Sequence, residues 1–186
     1  MAGVRAAKRY AKGLIQFANE SNQAERINQE MIDLRNSIDG SRELAQFLSS
    51  PVLDSKRKNV IGDELFKGFS QTTQNFIHLI INQKRGDILK EITAQYNVLY
   101  NLQNKISIAE IVSAVPLDEG TTQQILGLAR DKMNADTSYI VESKVDPRII
   151  GGFILRVGDK EIDSSIRTRL ARLKKEFDKN EYVPKL

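Results

Sequence analysis

Apolar positions in the first hundred residues recur at helical spacing. Tyr10, Leu14 and Phe17 share one face of a segment running from about Val4 to Ala18, and Ala7, Ala11 and Ala18 make a narrower strip beside them. Small alanines admit a neighbouring helix at close range, so this segment is read as carrying two contact faces. Ile27, Met31, Leu34 and Ile38 then step by four, three and four until Asp39-Gly40 stops them. Leu44, Phe47 and Leu48 mark a short helix ended by Pro51. Asp54 is placed to cap a fourth helix, with Val60, Ile61 and Leu65 turned inward and Gly68 near its end. Ser70 opens a fifth helix bearing Phe76, Ile77, Leu79, Ile80 and Ile81, and after Gly86 a long sixth carries Ile88, Ile92, Tyr96 and Leu99. Short connections without any alternating pattern predict an antiparallel six-helix bundle. On the fifth helix the apolar residues spread beyond one face. Either neighbours enclose it, or one edge is left to take a partner helix in a groove.

Near Lys105 the period changes. Ile106 to Val115 is rich in isoleucine and valine and ends at Pro116, which is a strand signal. Thr121-x-x-Gln124 has the form of a capping box, followed by Ile125, Leu128, Ala129 and Met133 on a helix. Tyr139, Val141, Ser143 and Val145 alternate with Ile140, Glu142 and Lys144 as a second strand. The predicted division is a helical bundle over 1–105 and a small α/β domain over 106–186, α+β overall, with a polar, loosely held tail from Asp178 to Leu186.

The stretch from Lys144 to Phe177 organises the second half. Asp146-Pro147 closes the preceding strand, because proline lacks the ladder N–H and restricts the residue before it. Gly151-Gly152 removes two side chains where another element can approach. Phe153, Leu155 and Val157 share one strand face, and Gly158-Asp159 fits a two-residue hairpin loop of type II′. Asp163 or Ser164 is placed to cap the last helix, on which Ile166, Leu170, Leu173 and Phe177 form one apolar stripe. Phe153, Leu155, Ile166 and Leu170 are assigned to the small core of this half. Arg167, Arg169, Arg172, Lys174 and Lys175 lie opposite the stripe as a basic face, open to water, to an acidic protein partner, or to nucleic acid or a membrane surface.

Composition narrows the functions that this pattern can serve. With 40% hydrophobic and 28% charged residues the chain can bury a core like an ordinary globular protein. A net charge of +4 is too small to argue for nucleic acid without a concentrated patch. The absence of cysteine excludes disulfides, thiol catalysis and cysteine-ligated metal. The longest apolar run, Phe76 to Ile81, is broken by His78 and is too short to span a bilayer. The N-terminal segment lacks an apolar signal core, so no cleavable targeting segment is expected, which fits a bacterial cytoplasmic setting or a mature sequence with its transit peptide removed. Asp159, Glu161 and Asp163 alternate, but without the spacing of a calcium loop they read as turn, strand edge and cap. Neither G-x-G-x-x-G nor a P-loop occurs, and the single histidine, His78, has no nucleophile or carboxylate beside it in sequence.

One series of residues carries a family likeness. Pro147, Ile150, Gly151, Gly152, the hydrophobic strand, Gly158-Asp159, Ile162-Asp163, Ser165-Ile166, Leu170 and Leu173 stand in one order and spacing that resembles the C-terminal signature of the delta subunit of F-type ATP synthase. The mitochondrial relative of that family is the oligomycin sensitivity-conferring protein. Y-A-x-x-L-x-x-F-A at Tyr10 to Ala18 is similar to the family's first helix, and F-I-H-L-I-I-N-Q-K-R-G-D-I-L to its fifth helix and the turn after it. The family usually has a small or acidic residue and asparagine near Gln83-Lys84. The resemblance implies a non-enzymatic, cofactor-free subunit of the peripheral stalk, held at the cytoplasmic face of a bacterial membrane through its complex. It implies that the helical domain binds the N-terminal helix of an alpha subunit through Tyr10, Ala11, Leu14, Phe76, Leu79 and Ile80. It implies that the C-terminal domain, with Pro147, Gly151, Gly152, Gly158, Asp159 and Asp163 as its structural signature, binds the b subunits of the stalk. A basic nucleic-acid-binding module built on the C-terminal strands and helix is the alternative, although no aromatic residue interleaves its arginines.

Overall fold

The computed structural model describes residues 2–132 and 138–179, and the fold is α+β. The chain divides into two compact units, Met1–Asn104 and Lys105–Leu186. In the first, α1 (Ala2–Glu20), α2 (Ala24–Gly40), α3 (Arg42–Ser49), α4 (Ser55–Leu65) and α5 (Gln71–Asn82) lead through a 3-10 turn at Gly86–Ile88 into α6 (Leu89–Gln103). Helix α6 packs along both α1 and α2. The core joins Ala7, Ala11, Leu14, Ile15 and Ala18 of α1 to Ile27, Met31 and Leu34 of α2, Phe76, Ile77 and Ile80 of α5, and Ile92 and Tyr96 of α6. The alanine strip of α1 is thus its core side. Tyr96 is fully buried, and its hydroxyl donates to the Ala24 carbonyl at 3.2 Å.

The connections are punctuated by caps. Side-chain oxygens of Ser41, Asp54 and Ser70 accept from the N–H groups of Leu44, Arg57 and Thr73, satisfying donors that a helix start leaves free. Lys58 is buried, and its ammonium donates to the Leu48 carbonyl at the end of α3, at 2.7 Å. Burial pushes the Lys58 pKa down, with the field of Asp87 acting against that shift.

Helix α4 corrects the sequence expectation. Val60, Ile61 and Leu65 face solvent, while Lys58 and Gly62 are buried. The reason lies in how α4 meets α5. Ser55 Oγ donates to the Ile81 carbonyl, Asn59 Nδ2 donates to Asn82 Oδ1, and the bare Cα of Gly62 faces Ile81 and Phe66. A polar, small-residue face makes this contact, and the apolar residues are left outside.

The second unit is a four-stranded sheet with a helix on one face. It comprises β1 (Ile106–Ser113), α7 (Glu119–Lys132), β2 (Ser138–Val145), β3 (Phe153–Val157), β4 (Lys160–Asp163) and α8 (Ile166–Lys179), in sheet order β2-β1-β3-β4. Strand β2 runs parallel to β1, and β3 and β4 are antiparallel to their neighbours. Ala109, Ile111 and Leu155 pack against Ile125, Leu126 and Ala129 of α7, with Phe153 and Val157 beside them. The opposite face carries a row of charges across the strands: Lys144 to Glu110, Glu110 to Arg156, Arg156 to Glu161.

Two caps differ from expectation. Helix α7 is capped by Asp118, which accepts from the N–H and hydroxyl of Thr121, so Thr121 is a donor inside the first turn. Helix α8 is capped by Ser165, whose Oγ accepts from Thr168 N–H, and Asp163 braces the cap by accepting from Ser165 N–H and the Thr168 hydroxyl. These hydrogen bonds, first that from Thr168, hold the Asp163 carboxyl below its ordinary pKa. Gly158 has φ +59° and no positive φ follows at Asp159, as a type II′ turn requires. Gly152 has φ +77°, and a Cβ there would lie 2.4 Å from the Ser164 carbonyl oxygen. Only glycine fits. The expected contribution of Met133 to α7 and the tail beyond Lys179 lie outside the described residues.

Candidate functional site

Helices α1 and α5 leave a furrow of about 460 Å³ between them. Leu14 and Phe76 form its floor, Tyr10, Phe17 and Leu79 its walls, and Arg9, Gly13, Thr72 and Asn75 its rim. Spacings of three and four place each set on one flank of its helix. Phe17 is 55% exposed and Leu79 47%, so the fold leaves two large apolar side chains in water at one place. The Thr72 hydroxyl donates to Gln23 Oε1 at 3.2 Å, which ties the start of α5 to the turn between α1 and α2.

The α5 wall is pinned on two sides. On the inner side, the buried Glu30 carboxylate of α2 accepts from Ser70 N–H at 2.8 Å, the Ser70 hydroxyl at 2.7 Å and the Thr73 hydroxyl at 2.5 Å. A carboxylate at a helix N-terminus also meets the positive end of the helix dipole. Burial alone would push the Glu30 carboxyl up. The bonds from Thr73, Ser70 and Arg26 outweigh it and hold the group below its ordinary pKa. On the outer side, His78 Nε2 lies 2.8 Å from Asp63 Oδ1 of α4. The furrow therefore has a fixed wall before anything enters it.

Of the six residues proposed for helix binding, the structure brings Tyr10, Leu14, Phe76 and Leu79 together at this furrow. Ala11 and Ile80 are fully buried in the core behind it. Gly13 was not singled out by sequence, and its place is informative. It sits inside α1 with an ordinary helical backbone, and a Cβ added to it would meet nothing within 4 Å. Neither backbone angle nor internal packing requires glycine there.

The second unit presents a different surface. Ile166, Leu170, Leu173 and Phe177 all lie exposed along α8, with Leu170 at 55% and Phe177 at 76%. This overturns the assignment of Ile166 and Leu170 to the core. The sheet and α7 close the core without them, and Ile166 touches the unit where Gly151 leaves room, since a Cβ on Gly151 would lie 2.6 Å from its Cδ1. Among the described residues nothing in its own unit covers the apolar stripe of α8, which is flanked by exposed Arg167, Arg169, Arg172, Lys174 and Lys175.

Residues 6–177 match the family model described as ATP synthase delta (OSCP) subunit. The chain belongs to that family. The ATP synthase subunit delta of Christiangramia forsetii is 36% identical over 186 residues, covering all of both chains. That of Flavobacterium johnsoniae is 35% identical over 177 residues, covering 95% of this chain and 99% of its own. A chain in the cryo-EM structure of the Toxoplasma gondii mitochondrial ATP synthase hexamer shares the fold, with a TM-score of 0.67 at 22% identity over 96% of this chain and 98% of that one. The delta family is a non-catalytic component of the ATP synthase peripheral stalk. No helix among the described residues is long and apolar enough to cross a membrane. Nor do the described residues contain a cluster of three or more His, Asp or Glu able to hold a metal ion.

The signature residues of the delta-family C-terminal half act on backbone geometry in this structure. Asp146 accepts from Arg148 N–H, and Pro147 opens a 3-10 turn ending at Ile149. Gly151 and Gly152 let α8 begin against the start of β3, where Ser164 N–H donates to the Phe153 carbonyl and Ile166 N–H to that of Gly151. Gly158 and Asp159 turn the β3–β4 hairpin, and Asp163 braces the cap of α8. Together they fix where α8 leaves the sheet.

Proposed function

We propose that this delta-family chain is a two-handed stator link of a proton-translocating ATP synthase. In this reading, residues 1–105 act as a six-helix bundle domain that takes the N-terminal helix of an alpha subunit into the α1–α5 furrow. Residues 106–186 hold the b-subunit stalk, with the exposed stripe of α8 as the contact. The complex places the chain at the cytoplasmic face of a bacterial membrane. The observation that carries the reading is the furrow: a floored, pinned slot whose walls include half-exposed Phe17 and Leu79. An amphipathic helix supplies the i, i+3, i+4 and i+7 anchors that such a slot takes. Gly13 supports close approach of that helix, since its missing side chain serves nothing within α1 itself.

The function is mechanical. Torque on the catalytic head must be resisted by something that does not turn. Two contacts on one chain hold better than either alone, because release of one leaves the other at high effective concentration. Apolar anchors suit the task, since they slow dissociation under load. The alternative of a nucleic-acid module has less support, because Arg148 and Arg156 are already paired with carboxylates.

The test uses the whole enzyme reconstituted in vesicles with the wild-type chain, Leu79→Asp, or Leu170→Asp/Leu173→Asp. ATP hydrolysis and ATP-driven proton pumping are measured together. The reading expects hydrolysis to continue while pumping falls in each variant. Pumping at the wild-type level in both would remove it.

A further inference from the structure

The α1 side of the furrow is electrically polar along the helix axis: Arg9 lies at the rim, and Glu20 lies beyond the lining on the same ridge. Arg9 and Gly13 line the furrow, and Gln16 and Glu20 continue the same ridge of α1 past it, at spacings of four, three and four. Arg9 stands at one end and Glu20 at the other, eleven positions or about 16 Å apart along the axis. The opposite rim, on α5, presents the uncharged Thr72 and Asn75. Arg9 is exposed and has no carboxylate partner among the described residues. Its guanidinium lies 5.4 Å from the centre of the Tyr10 ring, so the charge is held over the apolar wall. The rest of that end reinforces it: Arg5, Lys8 and Lys12 are exposed, and Glu20 is the only acidic residue of α1.

A helix laid in the furrow would take water from Arg9. A guanidinium stripped of water without a counter-charge opposes binding, whereas a carboxylate set against it contributes to affinity and to encounter rate. The geometry points to an occupant of defined polarity: an amphipathic helix with a carboxylate on the flank that faces Arg9 and a neutral or basic residue about three turns further along, facing Glu20. Gly13, between the two, is where the backbones come closest. The charged ridge thereby fixes which way round the helix lies, a choice that the apolar floor of Leu14 and Phe76 cannot make. This rests on the furrow being the helix site proposed above.

The test uses the full-length chain and a synthetic peptide of the cognate alpha subunit's N-terminal segment, with affinity measured by calorimetry at two salt concentrations. Arg9→Glu is expected to weaken binding by about tenfold and to reduce the salt dependence, with thermal unfolding unchanged because Arg9 supports no internal contact beyond Tyr10. A peptide in which a single carboxylate is replaced by lysine is expected to recover affinity for Arg9→Glu while losing it for the wild type. Leu79→Asp is the control for the furrow. If Arg9→Glu binds within twofold of the wild type while Leu79→Asp does not bind, the furrow reading stands and the polarity proposal is wrong. If Leu79→Asp binds normally as well, the helix lies elsewhere and both fail.

Discussion

The two units offer partners opposite things. The first leaves a slot between α1 and α5 with half-exposed walls, and in the proposed reading the partner brings the helix. The second closes a small core between its four strands and α7, and the described residues leave the apolar stripe of α8 uncovered, so in the same reading the partner brings the cover. The difference follows from the elements. Packed helices present grooves between ridges, and a slot appears wherever one neighbour is missing. A sheet needs one layer on one face, and any helix beyond that layer is free for another use. The exposed apolar residues of the two proposed contact surfaces differ accordingly: wall residues in one unit, a whole helix face in the other.

The sharpest way to break this comparison is at the boundary between core and slot. Ala11 and Leu79 were both expected at the helix site, yet Ala11 is fully buried and Leu79 is half in water. Ala11→Glu should cost the first unit at least about 3 kcal/mol, because a charge and extra volume enter a packed core with no partner. Leu79→Asp should leave stability nearly unchanged and remove helix binding. Denaturant unfolding beside calorimetry separates them, and comparable stability losses in the two would collapse the distinction.

Gly152→Val addresses the second unit alone. With φ at +77° and the Ser164 oxygen in the way, the substitution is expected to cost about 3 kcal/mol. In a scan that resolves two transitions, only that of the second unit should move. One transition shifting as a whole would mean that the units do not unfold independently.

Glu30→Gln probes the pinned wall. It should destabilise the first unit by about 1–3 kcal/mol, since the donors of Ser70 and Thr73 lose a charged acceptor. Because the Glu30 carboxyl lies below its ordinary value of 4.5 in the folded chain, the unfolded chain binds the extra proton first as pH falls. Its stabilising contribution is complete above the unfolded pKa and disappears as pH drops through the folded one. The wild type should therefore lose stability below about pH 4.5 more steeply than Glu30→Gln. Parallel pH profiles would show that the carboxylate does not hold the wall.

The smallest stability effect is expected from Leu170→Asp/Leu173→Asp on the exposed face of α8, within about 0.5 kcal/mol per site. A large loss would return these residues to the core and leave the second unit with no uncovered stripe.

Much of this was legible in sequence, and the failures have a common cause. Periodicity finds which residues share a face, so the stripes of α1, α2, α5 and α8 could be read directly. It does not say what the face meets. Val60, Ile61 and Leu65 looked like core because they are apolar, but Gly62, Asn59 and Ser55 made the contact with α5. Ile166 and Leu170 looked like core for the same reason. Four of the six helix-site residues reach the furrow because they lie on the flanks of α1 and α5 that face each other across it. Ala11 and Ile80 sit one step round their helices. Gly13 and Arg9 went unread because a rim exists only once two helices are placed side by side. The cap of α8 was missed by one residue, since Asp163, Ser164 and Ser165 are all competent cap formers and only the path of β4 decides among them.

The chain passes from α6 to the sheet through Asn104 and Lys105 alone, and it enters on β1, which has a neighbour on both sides. A pull transmitted along this joint reaches the sheet at the start of its inner strand. To slide that strand out, the ladders to β2 and β3 must be sheared together, many hydrogen bonds at once, instead of being peeled one by one as at a sheet edge. Strand order at this joint therefore favours shear over peeling along Ala109–Ser113, where β1 is paired on both sides.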